Sequence, residues 1–148
     1  MNYTVTEMSV EHIDGIVNIE NKCFSSPWTY EGIKEELYNE NSHFLVALSE
    51  SDSVGYIGVQ EICGEAYITN IAVLPEYRRM GIAECLLTSA VDGAKKRKCE
   101  FITLEVRESN LSAICLYEKN GFLPVGKRKA FYSNPKEDGL IYTLRFNK

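Results

Sequence analysis

The stretch Asn70-Ile71-Ala72-Val73-Leu74-Pro75-Glu76-Tyr77-Arg78-Arg79-Met80-Gly81-Ile82-Ala83 reads as a strand that passes through a proline-containing turn into the start of a helix. A helix start carries backbone N–H groups without intrahelical partners and the positive end of the peptide dipole, so it attracts anions. Gly81 lets a ligand approach the backbone closely, and Arg78 and Arg79 can add charge-assisted hydrogen bonds to phosphate. The chemistry indicated is the binding of a phosphate-bearing cofactor. An ordinary exposed turn with solvated arginines accounts for the same residues, because helix starts are common. Neither G-x-x-x-x-G-K-S/T nor G-x-G-x-x-G occurs, so the P-loop and dinucleotide-binding fingerprints are both missing.

Glu105 shares one face of its strand with Phe101 and Thr103, while Ile102, Leu104 and Val106 occupy the other. A carboxylate among apolar neighbours is a candidate for chemistry, and a strand-end glutamate paired with Arg107 or solvent is the plainer alternative. Asn110 and Tyr117 stand seven residues apart in one helix, about two turns, and so face the same side. Asn110 is also a ready N-cap, and a core tyrosine is the plain reading of Tyr117. His12 and His43 lie far apart without ligand-spaced neighbours, so no metal site is expected. Cys85 and Cys115 fall at or beside apolar helical positions and read as core residues, which argues against an acyl-cysteine route. The run Lys95-Lys96-Arg97-Lys98 is the positive charge expected at a helix C-terminus rather than a nucleic-acid patch.

These residues need a frame to hold them. A strand from Tyr3 to Thr6 precedes a helix capped by Ser9, with Ile13, Ile16 and Val17 at helical spacing. After the loop Phe24-Ser25-Ser26-Pro27-Trp28, Thr29 caps a second helix through Tyr30, Ile33 and Leu37. Strands over His43 to Leu48, Val54 to Glu61 and Glu65 to Val73 follow, with turns short enough to require antiparallel hairpins. Ile82, Leu86, Ala90, Val91 and Ala94 then mark one face of a longer helix. A strand from Phe101 to Val106, a helix opened by Asn110 and closed at Asn120-Gly121, and strands over Phe122 to Gly126 and Leu140 to Arg145 complete the chain. The order is βααβββαβαββ, an α/β mixture with an antiparallel front half and a strand-helix-strand crossover behind it.

With 148 residues, 45% of them hydrophobic and 25% charged, the chain is long enough for one sizeable core, and a single domain over 1–148 is expected. Sixteen Lys and Arg stand against 21 Asp and Glu, a net charge of −5 that suits a cationic or neutral partner and counts against nonspecific nucleic-acid binding. The five cysteines, Cys23, Cys63, Cys85, Cys99 and Cys115, form no C-x-x-C pair and no disulfide framework, which fits a reducing cytoplasm. No apolar run approaches the ~18 residues of a membrane span, and the N-terminus lacks the pattern of a signal peptide.

Arg78-Arg79-Met80-Gly81-Ile82-Ala83 fits the R/Q-x-x-G-x-G/A acyl-coenzyme A motif, in the strand-to-helix position where the GNAT N-acetyltransferase superfamily carries it. Phe24 with Pro27-Trp28, Asn70-Ile71-Ala72-Val73, Leu104-Glu105-Val106-Arg107, Ser109-Asn110, Ala113-Ile114, Leu116-Tyr117-Glu118 and Gly121-Phe122 extend the resemblance over nearly the whole chain. Together they make it most similar to the bacterial ribosomal-protein alanine N-acetyltransferases. Ala83 stands where many members have Gly, and Phe131-Tyr132-Ser133-Asn134-Pro135 delays the proline that usually follows the aromatic pair.

The resemblance implies a GNAT fold and acetyl-coenzyme A as cosubstrate, without a metal. Ile71, Ala72 and Val73 would meet the pantetheine arm, and Arg78 with the amides of Arg79, Met80, Gly81, Ile82, Ala83 and Glu84 would cradle the pyrophosphate. Asn110 and Tyr117 would also touch the cofactor. Glu105, directly or through a water, would take the proton that an acceptor α-amine must lose, and Tyr117 would give one to the departing thiolate. Trp28, Phe131 and Tyr132 would wall the acceptor site. The implied acceptor is the N-terminus of a small-subunit ribosomal protein, met in the cytoplasm by a monomer or weak dimer without nucleic-acid or membrane partners. An acetyltransferase of small amines and a non-catalytic acyl-coenzyme A binding module are the alternatives.

Overall fold

The structure, a computed structural model, describes residues 3–146. Strand β1 (Thr4–Glu7) leads through a 3-10 turn (Val10–His12) into helices α1 (Ile13–Cys23) and α2 (Tyr30–Leu37). Strands β2 (Leu45–Ser49), β3 (Asp52–Ile62) and β4 (Glu65–Val73) follow, then a 3-10 turn (Pro75–Tyr77) and α3 (Ile82–Lys96). Strand β5 (Phe101–Arg107), α4 (Leu111–Lys119), β6 (Leu123–Tyr132) and β7 (Glu137–Arg145) complete the expected order.

All seven strands join one sheet in the order β1-β2-β3-β4-β5-β7-β6. Every neighbouring pair is antiparallel except β4 and β5, which the α3 crossover makes parallel. Helices cover both faces. Glu20 of α1 reaches Tyr56 on β3, whereas Ile82 of α3 lies against the adjacent Gly55, and alternation along a strand puts these neighbours on opposite faces. Ile13, Ile16 and Ile19 of α1 and Leu86, Leu87 and Ala94 of α3 are wholly buried in the resulting core.

Local signals set most boundaries. Thr29 accepts from the Gly32 amide at 3.1 Å and starts α2, and Asn110 accepts from the Ala113 amide at 3.3 Å and starts α4. Gly121 at φ +94° closes α4, as the Asn120-Gly121 pair suggests. Ser9 works differently from expectation: its own amide donates to His12 Nδ1 at 3.0 Å, so His12 closes a 3-10 turn and α1 begins only at Ile13.

Several strand limits also move, and β7 begins at Glu137 rather than Leu140. β1 is Thr4–Glu7 rather than Tyr3 to Thr6, β2 begins at Leu45 rather than His43, and β6 runs on past Gly126 to Tyr132. The extension of β6 lacks an apolar alternation because it is the exposed edge of the sheet, paired only with β7. Cys115 is exposed and Cys85 half-buried, so neither is the core residue expected; on α4 the buried position is Tyr117.

Candidate active site

The site begins with a split in the sheet. β4 and β5 pair only from Glu65 opposite Phe101 to Tyr67 opposite Thr103, and beyond that point the two parallel strands have no ladder between them. The cause lies on the other side of β4. Gly58 of β3 faces Asn70 while Val59 faces Ile68, which leaves Thr69 as an extra residue in β4. Such a bulge bends and twists its strand, and here it turns β4 away from β5. Gly58 makes the bulge possible: a Cβ there would lie 2.6 Å from both the Phe44 ring and Thr69 Oγ1. Thr69 Oγ1 is buried without a hydrogen-bond partner among the described residues.

At the outer end of the split, Arg79 (φ +65°) and Gly81 (φ +81°) both adopt left-handed conformations before α3 begins at Ile82. The start of α3, with its unpaired first amides, thus lines a cavity of about 670 Å³. Ile71, Ala72 and Val73 form one wall of it, and Arg78, Arg79 and the segment from Gly81 to Glu84 form the mouth. Met80 is the one residue of the expected stretch outside the wall, and it is 42% exposed. Arg78 turns inward, donating from Nε to the Val73 carbonyl at 3.0 Å, so it braces the end of β4. Glu84 takes Lys119 Nζ at 3.1 Å and Asn120 Nδ2 at 3.3 Å, fastening the start of α3 to the end of α4; Lys119 holds its carboxyl below the usual range.

A second cavity, of about 740 Å³, adjoins the first, and the two share Phe24, Ile71, Asn110, Ala113 and Tyr117 as common wall. Asn110 and Tyr117 therefore do face one place. Tyr117 is 4% exposed, and burial, reinforced by Tyr132, pushes its phenol up to about 12. A third cavity, about 800 Å³ between β1, α2 and α3, holds none of the expected site residues.

Glu105, Trp28, Phe131 and Tyr132 all line the second cavity, which brings the candidate base and the candidate acceptor walls together. The partner of Glu105 is Arg128 of β6, Nε to Oε2 at 2.9 Å, and not Arg107. Arg107 is engaged elsewhere. It donates to the carbonyls of Ser133 (3.0 Å) and Pro135 (2.9 Å) and to Glu137 (3.1 Å), and its guanidinium lies 4.6 Å over the Tyr132 ring. Glu137 in turn accepts from the Ser109 amide at 2.6 Å, which with Arg107 holds its carboxyl below the ordinary value. The hairpin carrying Phe131 and Tyr132 is thus pinned to the ends of β5 and its following loop.

One buried carboxylate of the site escaped the sequence. Glu20 is 1% exposed on α1, lines the second cavity, and has no cationic partner among the described residues. Its Oε1 accepts from the Trp28 amide at 2.9 Å, and its Oε2 accepts from Asn70 Nδ2 at 3.2 Å and from the Tyr56 hydroxyl in a short hydrogen bond. Asn70 also donates to the Tyr56 oxygen at 3.0 Å. Burial and this carboxylate push the Tyr56 phenol far up. The signal was present: Ile13, Ile16 and Glu20 stand at three- and four-residue steps, an acid on an apolar stripe. Among the described residues no cluster of three or more His, Cys, Asp or Glu could hold a metal ion, and no helix is long and apolar enough to cross a membrane.

A mixed sheet split between its parallel strands, with a helix start and positive-φ turn at the mouth of the split, is the framework of an acyl-transferring enzyme. The Acetyltransferase (GNAT) family matches residues 13–122, and the chain belongs to that family. It is 40% identical over 145 residues to a Bacillus subtilis protein named "Putative ribosomal protein bS18-alanine N-acetyltransferase", covering 97% of this chain and 96% of that one. It is 30% identical over 145 residues to the ribosomal protein bS18-alanine N-acetyltransferase of Escherichia coli (strain K12), covering 95% and 96%. The crystal structure of the ribosomal-protein-S18-alanine N-acetyltransferase from Escherichia coli superposes with a TM-score of 0.91 at 28% identity, over 99% of this chain and 96% of that one.

Proposed function

We propose that the protein transfers an acetyl group from acetyl-coenzyme A to the N-terminal α-amine of a protein, with the N-terminus of a small-subunit ribosomal protein as acceptor. One observation carries the reading: two cavities meet at the split in the sheet and share a wall at Asn110 and Tyr117. That arrangement lets an acyl donor in one cavity and an amine in the other meet at the shared wall, in a ternary complex. The relatives' names support a protein acceptor, and the net charge of −5 favours a cationic one.

The residues of the first cavity fit the donor. Past Tyr67 the edge of β4 facing β5 has no ladder partner, so Ile71 to Val73 can hydrogen-bond the amides of a pantetheine arm. The first amides of α3 and the side chain of Arg79 would hold the pyrophosphate.

An α-amine, with a reference pKa of about 7.7 to 8.0, arrives largely protonated at neutral pH. Glu105 would accept that proton, directly or through a water, and free the nitrogen lone pair. The nitrogen then bonds to the thioester carbon as the carbon–sulfur bond breaks, giving an amide and a thiol; the second proton of the attacking nitrogen leaves to solvent, and solvent restores the proton that Tyr117 gives to sulfur. Tyr117 would supply the thiol proton. Its phenol, pushed up to about 12, is a weaker acid than a thiol with a reference pKa of about 8.5. Transfer to a free thiolate would be uphill by roughly 5 kcal/mol. Tyr117 therefore acts best as a hydrogen-bond donor to the charge growing on sulfur, with the proton moving as the bond breaks.

The test is thiol release from acetyl-coenzyme A with three acceptors: a peptide with a free N-terminus, the same peptide blocked there but carrying a free lysine, and a polyamine. Lysine, with a reference pKa of about 10.4, is harder to deprotonate and sits on a longer stem. The free N-terminus should react far faster than the other two. Equal rates on free and blocked peptides, or turnover of the polyamine alone, would move the assignment to small amines.

A further inference from the structure

A carboxylate removed from water without a cation is costly unless its lone pairs are met, and the solution at Glu20 draws on three separate elements. Trp28 belongs to the loop between α1 and α2, Tyr56 to β3, and Asn70 to β4 one residue after the bulged Thr69. The loop contributes Phe24, Ser25, Ser26 and Trp28 to the second cavity, which Asn70 and Ile71 of β4 also line. The Trp28 amide is the point where this loop is hydrogen-bonded to Glu20, and Trp28 itself leans on Phe44 with ring centroids 6.1 Å apart.

We propose that Glu20 is a positioning residue for the acceptor: by binding the Trp28 amide with one oxygen and Asn70 and Tyr56 with the other, it sets the distance between the acceptor loop and the split strand β4. The proposal uses the acetyl-transfer reading above for its kinetic consequence only. Glu20 takes no part in the proton steps assigned to Glu105 and Tyr117. Its geometric consequence, a fixed loop, stands whatever the acceptor is. A neutral amide in its place keeps one acceptor oxygen but presents an NH2 group that cannot accept from the Tyr56 hydroxyl and Asn70.

Trp28 is the only tryptophan, so the loop reports on itself. In folded Glu20→Gln, quenching of Trp28 fluorescence by acrylamide should increase. The KM of an N-terminal acceptor peptide should rise by about tenfold, as expected for a lost hydrogen bond to a charged group. The KM of acetyl-coenzyme A should stay within about twofold. Unchanged quenching together with an unchanged peptide KM would overturn the proposal. So would a fall in kcat with both KM values unchanged, which would make Glu20 part of the proton pathway. If Glu20→Gln does not fold, Tyr56→Phe decides the matter, because it deletes a single hydroxyl that bonds Glu20; it should shift quenching and peptide KM in the same direction by less, and no shift in either would overturn the proposal. If the wild-type protein acetylates no peptide, the proposed function fails, and the quenching experiment still decides whether Glu20 fixes the loop.

Discussion

Arg128 Nε lies 2.9 Å from Glu105 Oε2, and the two side chains are 57% and 31% exposed. An ion pair this open to water contributes less than about 1 kcal/mol to stability. Its interest is positional, since Arg128 also lies 5.3 Å over the Phe131 ring and so joins the candidate base to the acceptor wall. Arg128→Ala should unfold within about 1 kcal/mol of wild type by urea titration. Glu105→Gln should keep affinity for coenzyme A while kcat falls by about 10²- to 10⁴-fold. A Glu105→Gln enzyme of full activity, with chemistry rate-limiting, would remove Glu105 from the mechanism.

Tyr117→Phe deletes a hydroxyl that no described residue hydrogen-bonds and leaves a ring that still packs on Phe122, centroids 5.8 Å apart. Stability and coenzyme A binding should be close to wild type by thermal unfolding and calorimetry. Turnover should fall by about 10²- to 10⁴-fold. The combination matters, because a fold defect would lower all three.

Gly81 sits at φ +81° at the start of α3, and a Cβ there would meet nothing closer than the Tyr3 hydroxyl at 3.8 Å. The strain of a substitution is therefore conformational. Gly81→Val should cost about 1 to 2 kcal/mol of stability and weaken coenzyme A binding more severely, as the turn that aims the first amides is lost. Calorimetry on the folded variant checks this, and wild-type affinity would dismiss the anion site.

Alkali should expose the buried phenols of Tyr117 and Tyr56. Tyr117 titrates near 10 when unfolded and about 12 when folded, and Tyr56 is raised further in the same direction. Between these limits the unfolded chain loses protons that the folded chain keeps, so stability falls as pH rises. The contribution is fully present below about pH 10 and declines above it through the folded values. Urea midpoints from pH 8 to 12 should show that decline, and it should be shallower in Tyr56→Phe. A flat profile would mean that neither phenol is shielded.

The order of elements was legible in the sequence because several boundaries carry a local cause, such as Thr29, Asn110 or Gly121. The stretch around Gly81 was legible for the same reason. What stayed hidden depends on contacts distant along the chain. Gly58 and Thr69 form the bulge only when β3 and β4 are in register, and nothing in either segment alone announces it. The Glu105–Arg128 pair spans the far edge of the sheet, and the nearer Arg107 was a false lead because the Ser133 to Glu137 turn claims it. Glu20 could have been noticed as an acid on a buried stripe, but its partners Trp28, Tyr56 and Asn70 come together only in the fold.

A strand in the middle of a sheet ordinarily exchanges none of its amide protons quickly, because both of its sides are occupied. Past Tyr67, β4 is occupied on one side only, by β3. In hydrogen-exchange terms the centre of this sheet contains a stretch of outer strand, with alternate amides locked and alternate amides open. Outer strands elsewhere must be capped, charged or shortened to stop other chains from adding to them. Here the open row faces inward, where the flanking helices and loops leave room for a slender chain, and a ligand that occupies it should slow the exchange of those amides alone.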